Sequence, residues 1–259
     1  MPEERPAFAQ AFSLSGEVAV VTGGGTGLGF AMSSTLLAAG AKVVITGRRA
    51  NVLDAAVAKL GSGAYCCQHD ITDSTGIAPL IERISHDVGE PTILINNAGT
   101  HLKKPLVETT DAEFHRVLAT HVEGAFAMSR AVVPQMKARG HGSILFIASM
   151  TSLLGMPNVI AYSAAKTALL GMVRALATEL GGDGIRVNAI APGWIESPML
   201  REALDGDPPR QAKILARTPQ GRFGNPEDIG WAAVYLCSSA ANFINGVVLP
   251  IYGGASIGF

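Results

Sequence analysis

Short apolar runs alternate with longer amphipathic segments along most of the chain. The runs are rich in β-branched residues and apolar throughout, which is typical of strands that helices cover on both faces. They lie at 18–23, 42–47, 92–97, 142–149 and 184–193, and a last run follows at 247–254. This alternation predicts a parallel sheet in a doubly wound α/β domain.

The segments between the runs have the residue spacing of helices. Several begin near Thr, Asp or Asn and end at Gly, as helices commonly do. We predict helices at roughly 27–39, 49–60, 74–88, 111–139, 157–181 and 226–237. Pro198, Pro208, Pro209 and Pro219 interrupt the alternation within 197–225, which predicts an insertion or lid there.

Composition and charge limit the classes of partner. Charged residues make up 16% of the chain and the net charge is −1, so no basic surface for nucleic acid or an anionic membrane is expected. No apolar run approaches the ~18 residues of a membrane span, and the amino-terminal segment lacks a long apolar stretch. Cys66, Cys67 and Cys237 are odd in number and lack metal-ligand spacing, which predicts neither disulfides nor a metal site. We therefore expect a cytoplasmic protein that binds small molecules and copies of itself.

A glycine-rich turn follows the first run at its carboxyl end, where ligands bind in such sheets. Residues 22–29 read TGGGTGLG and open the first long helix. Glycines let the backbone approach a pyrophosphate, and a helix N-terminus supplies free N–H groups and a favourable dipole. The strict GxGxxG spacing is absent, so the same residues also fit a simple tight turn.

A second motif, YSAAK at 162–166, places a phenol and an ammonium one helical turn apart. A spacing of four brings Tyr162 and Lys166 to the same face of a helix. A nearby cation lowers the pKa of a phenol from its usual value of about 10, so such a tyrosine could exchange protons near neutral pH. Taken alone, the motif is more typical of an amphipathic helix with a half-buried tyrosine and a solvated lysine.

Five elements occur in a fixed order along the chain. They are Thr22-Gly23-x-x-x-Gly27-x-Gly29, Asn96-Asn97-Ala98-Gly99, Ser149, Tyr162-x-x-x-Lys166 and Pro192-Gly193. In this order and spacing, over about residues 16–254, they resemble the short-chain dehydrogenase/reductase family. The resemblance implies an N-terminal extension, 1–15, and a single Rossmann-like catalytic domain, 16–259, with about seven parallel strands, helices on both faces and a substrate lid near 197–225. It also implies a nicotinamide cofactor and hydride transfer to or from an alcohol or carbonyl.

The resemblance also assigns the catalytic residues. Tyr162 would be the general acid in reduction and the base in oxidation, because hydride addition builds charge on a carbonyl oxygen that a proton must neutralise. Lys166 would lower the pKa of the phenol and hold the nicotinamide ribose. Ser149 would hydrogen-bond the reacting oxygen, although alone it would be a turn residue. His121 stands where many relatives carry an asparagine that helps a water link the lysine to solvent; it could shuttle protons, since imidazole titrates near pH ~6.5, or pack within a helix.

The end of the second run indicates which nucleotide binds. An acidic residue there would bind a ribose 2′-hydroxyl, whereas an arginine would accommodate a 2′-phosphate. Gly47 is followed by Arg48 and Arg49, which favours NADP(H) over NAD(H), although Thr26 stands where many NADP-preferring relatives carry a basic residue. Asp70 resembles the family aspartate at the adenine, or it caps a turn. The expected cofactor residues are Gly23, Thr26, Gly27, Leu28, Gly29, Arg48, Arg49, Asp70, Ile71, Asn97, Ala98, Gly99, Tyr162, Lys166, Pro192, Gly193, Ile195 and Ser197.

Three potentially cationic side chains, His101, Lys103 and Lys104, follow the NNAG motif. They could hold a substrate carboxylate or phosphate, or they could belong to a solvated loop. Over long stretches, including LKKP and IAPGWIESPML, the chain resembles the gluconate-type dehydrogenases of the family. That branch interconverts a secondary alcohol on a polyol acid with its ketone.

Two other functions stay open at this point. One is a 3-oxoacyl-thioester reductase, which would use His101, Lys103 and Lys104, the rim cations of the expected site, to bind a carrier phosphate. The other is a cofactor-binding regulator without chemistry, against which the intact Ser149, Tyr162 and Lys166 argue. Homotetramers are common in the family, and the apolar end at 255–259 predicts burial against another subunit. Tyr252 stands where relatives often carry an aspartate, and nothing in the sequence explains that change.

Overall fold

All seven strands of the described chain lie parallel in one sheet. The structure, a computed structural model, describes residues 7–197, 200–201 and 204–257. The strand order is β3-β2-β1-β4-β5-β6-β7. The strands are β1 (Val18–Thr22), β2 (Lys42–Gly47), β3 (Ala64–Gln68), β4 (Ile93–Asn96), β5 (Gly142–Ile147), β6 (Ile185–Pro192) and β7 (Val248–Ile251). The predicted doubly wound, Rossmann-like parallel sheet is confirmed.

Helices cover both faces of the sheet. They are α1 (Phe8–Ala11), α2 (Gly27–Ala38), α3 (Ala50–Leu60), α4 (Ile77–Asp87), α5 (Asp111–Leu118), α6 (Gly124–Arg139), α7 (Ile160–Leu180), α8 (Pro208–Arg217) and α9 (Pro226–Cys237). Successive strand residues point to opposite faces, so Val20 joins a buried cluster with α4, α6 and α7 while Val21 joins another with α2, α3 and α9. Burial on both faces explains why the strands read as uninterrupted apolar runs.

Three elements differ from the sequence prediction. The strand β3 was not recognised, because it lies at the sheet edge, where Tyr65 is exposed and the residues do not form an apolar run. The helix expected at 111–139 is interrupted by a π-helical turn, Ala119–Glu123. Inside the expected lid, α8 begins with two prolines at positions where a helix needs no N–H donor. Pro198 lies outside the described residues.

The carboxyl ends of the strands meet at one edge of the sheet. Strand β1 pairs with β2 on one side and with β4 on the other, so the winding reverses there and a crevice opens. The motifs of the sequence follow the ends of β1, β2, β4, β5 and β6 at this edge. The fold therefore gathers them along one crevice.

The amino-terminal segment lies at the opposite edge. The Leu14 N–H donates to the Ala39 carbonyl between α2 and β2, and the Ser239 hydroxyl donates to the Ala11 carbonyl. Between β6 and α9, a small apolar cluster holds the segment of the expected lid together, and its role as a lid stays a prediction; the cluster is formed by Leu200, Leu204, Ile214, Trp194 and Phe223. Within the described part of the chain, no helix has both the length and the apolar character to cross a membrane.

Candidate active site

The glycine turn between β1 and α2 presents free backbone N–H groups. Helix α2 begins at Gly27, and the preceding Thr26 makes no side-chain hydrogen bond to its first amides. Gly27 has a φ of 54°, in the left-handed region, and a Cβ there would meet no described atom within 4 Å. An uncapped helix N-terminus with an open approach fits a pyrophosphate, so these residues fit a dinucleotide cofactor. Leu28 packs against the apolar cluster behind the turn.

Thr22 and Asn97 hold the glycine turn against the end of β4. The Thr22 hydroxyl accepts the N–H groups of Asn97 at 3.0 Å and Ala98 at 2.9 Å. The Asn97 side-chain amide donates to the carbonyls of Thr22 at 2.9 Å and Gly23 at 3.3 Å. A Cβ at Gly29 would collide with the Gly23 carbonyl. Asn97 therefore braces the turn, and so does Thr22, to which the sequence analysis gave no role although it ends β1.

Ser149, Tyr162 and Lys166 come together at the carboxyl edge of the sheet. Ser149 follows β5, and its hydroxyl accepts the Thr151 N–H at 3.2 Å. Tyr162 and Lys166 lie in the first turns of α7, and the Lys166 ammonium is 5.6 Å from the centre of the Tyr162 ring. Lys166 is 4% exposed and donates to the Ile147 carbonyl at the end of β5. This arrangement brings a proton donor, a hydroxyl and a cation beside the crevice.

The ionisation of this group differs from the expectation. Burial raises the pKa of the Tyr162 phenol above its ordinary value of 10.0, and hydrogen bonding from Ser149 opposes that rise. Burial lowers the pKa of Lys166 to about 7. Burial therefore outweighs any lowering of the Tyr162 pKa in this structure, and the expected effect of Lys166 on the phenol stays a prediction. The physical reason is that the ammonium is directed at the Ile147 carbonyl, so burial of the phenol dominates.

His121 packs against Tyr162 from the π-helical turn. The two rings lie 5.4 Å apart at 85°, and His121 is 3% exposed. Its Nε2 lies 2.7 Å from the Thr100 carbonyl oxygen and 3.1 Å from the Thr100 nitrogen; the shorter contact favours Nε2–H as a donor to the carbonyl. Nδ1 is then an acceptor, and no described group hydrogen-bonds to it. Burial and the nearby Lys166 lower the pKa of His121 to about 3, which does not support a shuttle that titrates near neutral pH.

Gly99 leaves the space that the His121 ring occupies. A Cβ at Gly99 would lie 3.1 Å from Nδ1 and 3.2 Å from Nε2, and would collide with Cε1 between them. The ring cannot retreat easily, because its Nε2 is held at Thr100 and its face at Tyr162. The final glycine of the NNAG motif is therefore coupled to the histidine at position 121.

The residues expected at the adenosine end follow β2 and β3. Arg48 and Arg49 are exposed, and neither forms a direct ion pair within the described residues. The Asp70 carboxylate accepts the Thr72 N–H at 3.0 Å and the Thr72 hydroxyl at 2.8 Å. These hydrogen bonds, with Arg48 nearby, lower the pKa of Asp70. Asp70 thus forms a turn, one of its two expected roles, while Ile71 packs on α6.

The segment after β6 is anchored to the end of the chain. The Gly193 N–H donates to the Ile251 carbonyl at 2.9 Å, and a Cβ at Gly193 would collide with the Tyr252 side chain. The residues that follow Tyr252 reach the 197–225 segment, where the Gln220 N–H donates to the Gly253 carbonyl at 3.2 Å. Tyr252, unexplained from sequence, thus packs where β6 ends at Pro192 and the chain turns.

Ile195 and Ser197 shape the start of the lid. Ile195 is buried and forms a short parallel bridge with Gly224. The Ser197 hydroxyl accepts the Leu200 N–H at 3.0 Å. Both residues therefore hold the lid's own backbone, and their expected contacts with a nicotinamide stay predictions.

The three rim cations do not form one cationic site. The Lys104 ammonium lies 3.1 Å from both carboxylate oxygens of Glu113, so its charge is already paired. Lys103 is exposed to solvent. The His101 ring lies 5.0 Å from the Tyr162 ring at 73°. Lys104 is therefore less available to a substrate anion than the sequence analysis expected, and anion binding by any of the three residues stays a prediction.

A cavity of about 500 Å³ opens next to these groups. It lies between Lys104, the loop 151–158 and the start of α7, and Ser149, Tyr162 and Lys166 do not line it. The site that the sequence predicts at Tyr162 therefore does not coincide with this cavity. Among the described residues, no three His, Cys, Asp or Glu side chains are grouped as metal ligands would be.

Comparison with known proteins points to the same chemistry. A family model described as enoyl-(acyl carrier protein) reductase matches residues 23–256. The gluconate 5-dehydrogenase of Gluconobacter oxydans is 36% identical over 249 residues, which cover 95% of this chain and 97% of that protein. The 3-oxoacyl-(acyl-carrier-protein) reductase of Escherichia coli is 37% identical over 242 residues, which cover 93% and 98%.

Solved structures agree with the sequence relatives. The crystal structure of a gluconate 5-dehydrogenase from Burkholderia cenocepacia, in complex with NADP and tartrate, has a TM-score of 0.93 with this chain at 31% identity. The match covers 98% of this chain and 100% of that one. The similarity thus extends over the whole sheet and its helices.

Proposed function

Because this chain belongs to the short-chain dehydrogenase/reductase family, we propose that it transfers a hydride between NADP(H) and a secondary alcohol or ketone of a sugar acid or polyol. The chain is an oxidoreductase similar to gluconate 5-dehydrogenases; its cofactor preference and its substrate are the proposal. The observation that carries it is the convergence of Ser149, Tyr162 and Lys166 at the carboxyl edge of the sheet, the edge at which the glycine turn also lies.

The protein's residues supply the proton and the orientation. A reduced nicotinamide supplies a hydride, that is, one hydrogen with two electrons. In reduction the carbonyl carbon gains that hydride and the carbonyl oxygen gains a proton from Tyr162 Oη, which gives a secondary alcohol. Ser149 hydrogen-bonds the same oxygen and fixes its distance from Tyr162. A phenol with a raised pKa holds its proton until charge develops on the substrate oxygen, as a general acid must.

Lys166 and His121 support Tyr162 from the buried side. When Lys166 is charged, its ammonium stabilises the phenolate that remains after proton transfer, because it lies 5.6 Å from the ring. His121 stays neutral and fixes the orientation of the Tyr162 ring through the edge contact. We propose that His121 acts on Tyr162 by position, with its own ring held by the hydrogen bond to the Thr100 carbonyl, and not by its own titration.

The proposed preference for NADP(H) rests on Arg48 and Arg49. They are exposed, carry no direct ion pair among the described residues, and follow β2 at the crevice. Gly47 brings no carboxylate that would repel a 2′-phosphate. The similar gluconate 5-dehydrogenase from Burkholderia cenocepacia was solved in complex with NADP, which supports NADP(H) as the cofactor.

A second candidate is reduction of 3-oxoacyl thioesters. It is supported by the relative from Escherichia coli, which is as similar as the gluconate enzyme. The exposed Lys103 would be available to a carrier phosphate. The pairing of Lys104 with Glu113 weakens this candidate, because it removes one of the cations that a phosphate would need.

One experiment tests the proposal. The purified protein is mixed with NADPH and, in separate assays, 5-ketogluconate, other keto-sugar acids and acetoacetyl thioesters, and NADPH consumption is followed. We expect the highest kcat/KM with a keto-sugar acid. Tyr162→Phe should bind NADPH normally and lose at least the ~10²-fold typical of a general acid. A thioester as the best substrate would favour the second candidate, and NADPH binding without any turnover would indicate a regulator.

We also propose an assembly and a location for the protein. Apolar side chains stay exposed in the single chain, among them Phe126, Leu106 and Ile257, and a homotetramer would cover such a surface. Cys66, Cys67 and Cys237 are free, which supports a reducing cytoplasm. Light scattering on the purified protein measures the assembly directly.

A further inference from the structure

His101 is the rim residue that reaches the catalytic tyrosine. Its ring lies 5.0 Å from the Tyr162 ring at 73°, so the edge of one ring meets the other. The polar nitrogens of an imidazole lie on its edge and can point beyond the contact. No described residue forms a hydrogen bond or an ion pair with the His101 side chain, which is partly covered by its neighbours and partly open to solvent. A ligand beside the Tyr162 side chain can therefore meet a histidine that still has both nitrogens available.

The two neighbouring lysines, Lys103 and Lys104, do not contact Tyr162 as His101 does. Lys104 is held by both oxygens of Glu113. Lys103 is exposed and makes no contact with Tyr162 among those described. His101 is thus the only one of the three rim side chains for which the described contacts reach the reacting group.

The charge of His101 indicates what it binds. Burial, together with the nearby Lys103, lowers the pKa of His101 below its ordinary value of 6.5. A neutral imidazole carries one donor and one acceptor. A hydroxyl group also carries both, whereas a carboxylate offers acceptors only and prefers a cation. The side chain therefore fits an alcohol better than an acid.

The position of the reacting oxygen then indicates which hydroxyl group of the substrate His101 contacts. Ser149 and Tyr162 hold the oxygen of the carbon that exchanges hydride, as proposed above. A group bound by a ring in contact with Tyr162 belongs to a neighbouring carbon of the same substrate. We propose that His101 hydrogen-bonds a hydroxyl on the carbon next to the reacting carbon, and that it thereby selects α-hydroxy ketones and vicinal diols. This inference rests on the proposed function and narrows its substrate class.

The test uses one keto acid and two analogues that each lack one hydroxyl. 5-Ketogluconate has a hydroxyl on each carbon beside its ketone, and the 4-deoxy and 6-deoxy analogues remove them one at a time. We expect wild type to lose about three- to tenfold in kcat/KM on one analogue, the range of one neutral hydrogen bond. His101→Leu should lose a similar factor on 5-ketogluconate and change by less than about threefold on that analogue.

Two variants separate binding from folding. His101→Gln keeps a donor and an acceptor, so it should recover part of the kcat/KM that His101→Leu loses. His86→Leu makes the same chemical change at a histidine with an 88% exposed side chain at the end of α4, and it should match wild type. NADPH affinity and Tm should be unchanged in His101→Leu, His101→Gln and His86→Leu.

Three results would overturn the inference. If His101→Leu lowers kcat/KM by one factor for all three keto acids, the ring only packs against Tyr162, and the proposed function still stands. If wild type does not distinguish the analogues, no neighbouring hydroxyl is bound. If wild type reduces none of the keto acids, the proposed function is wrong and this inference with it.

Discussion

Replacing Gly99 by alanine should destabilise the protein through His121 alone. The added Cβ would lie 3.1 Å and 3.2 Å from the two ring nitrogens and collide with the carbon between them. His121 is 3% exposed, held at Thr100 by a 2.7 Å contact and in edge contact with Tyr162, so the ring has little room to move. The substitution therefore overpacks the core at a single contact, the one with the His121 ring.

The expected magnitude follows from that contact. Overpacking a core by a methyl group costs about 1–3 kcal/mol, and the reduced freedom of the unfolded chain returns about 0.4–1 kcal/mol. The net cost is then at most about 2.6 kcal/mol and about 1.3 kcal/mol at mid-range, so we expect Gly99→Ala to lower Tm by about 4 °C, and by no more than about 10 °C, in a domain of this size. In a His121→Asn background the smaller side chain removes the collision, and Gly99→Ala should then be neutral or slightly stabilising. The coupling between the two sites should be about 1–3 kcal/mol.

The assay is thermal unfolding of the four proteins of this cycle at one protein concentration, because assembly would make Tm depend on concentration. Gly155→Ala is the matched control, since a Cβ there meets no described atom within 4 Å, and it should leave Tm nearly unchanged. Equal losses of Tm from Gly99→Ala in the wild-type and His121→Asn backgrounds would refute the reasoning. The glycine would then be required for another reason.

Three further predictions follow from single contacts. Arg48→Asp should lower the ratio of kcat/KM for NADPH over NADH by at least about tenfold, because a carboxylate would repel a 2′-phosphate; an unchanged ratio would contradict the cofactor proposal. Lys104→Gln should leave kcat/KM for a keto acid within about threefold, since its ammonium is committed to Glu113, and a larger loss would return it to the substrate site. The hydrogen bond with Glu17 raises the pKa of His141, so its stabilisation is complete below pH 6.5 and is lost as pH rises through the raised pKa. His141→Gln should therefore lower Tm by about 1–3 °C at pH 6 and by less at pH 9, and equal losses would exclude the ion pair as the cause.

The sheet could be predicted because its strands are covered on both faces. Val20 and Val21 enter different apolar clusters, so neither position tolerates a polar residue and the run is continuous. The same reasoning fails at β3, which lies at an edge and carries an exposed Tyr65. It also fails at Ala119–Glu123, because the spacing of apolar residues does not distinguish a π-helical turn from the helix around it.

The candidate site was predictable to the extent that its residues are sequential motifs. Ser149, Tyr162 and Lys166 lie together in the structure, and their catalytic roles stay predictions. The pairing of Lys104 with Glu113 and the ring contacts of His101 and His121 depend on how the loop after β4 meets α5 and α7. These contacts join segments that are distant in sequence, so no local pattern predicts them. Sequence proximity alone groups His101, Lys103 and Lys104 as one cationic set.

The contact between Tyr252 and Gly193 has a practical consequence for purification. The last described residues, 253–257, fold back in tight turns near Pro219, so a carboxyl-terminal tag whose linker follows them closely would lie beside the base of the 197–225 segment. The first described residues, 7–14, lie at the far edge of the sheet, where Leu14 is bonded to Ala39. A tag placed there leaves the crevice accessible, and kinetic constants measured with a carboxyl-terminal tag should be compared with those of the cleaved protein.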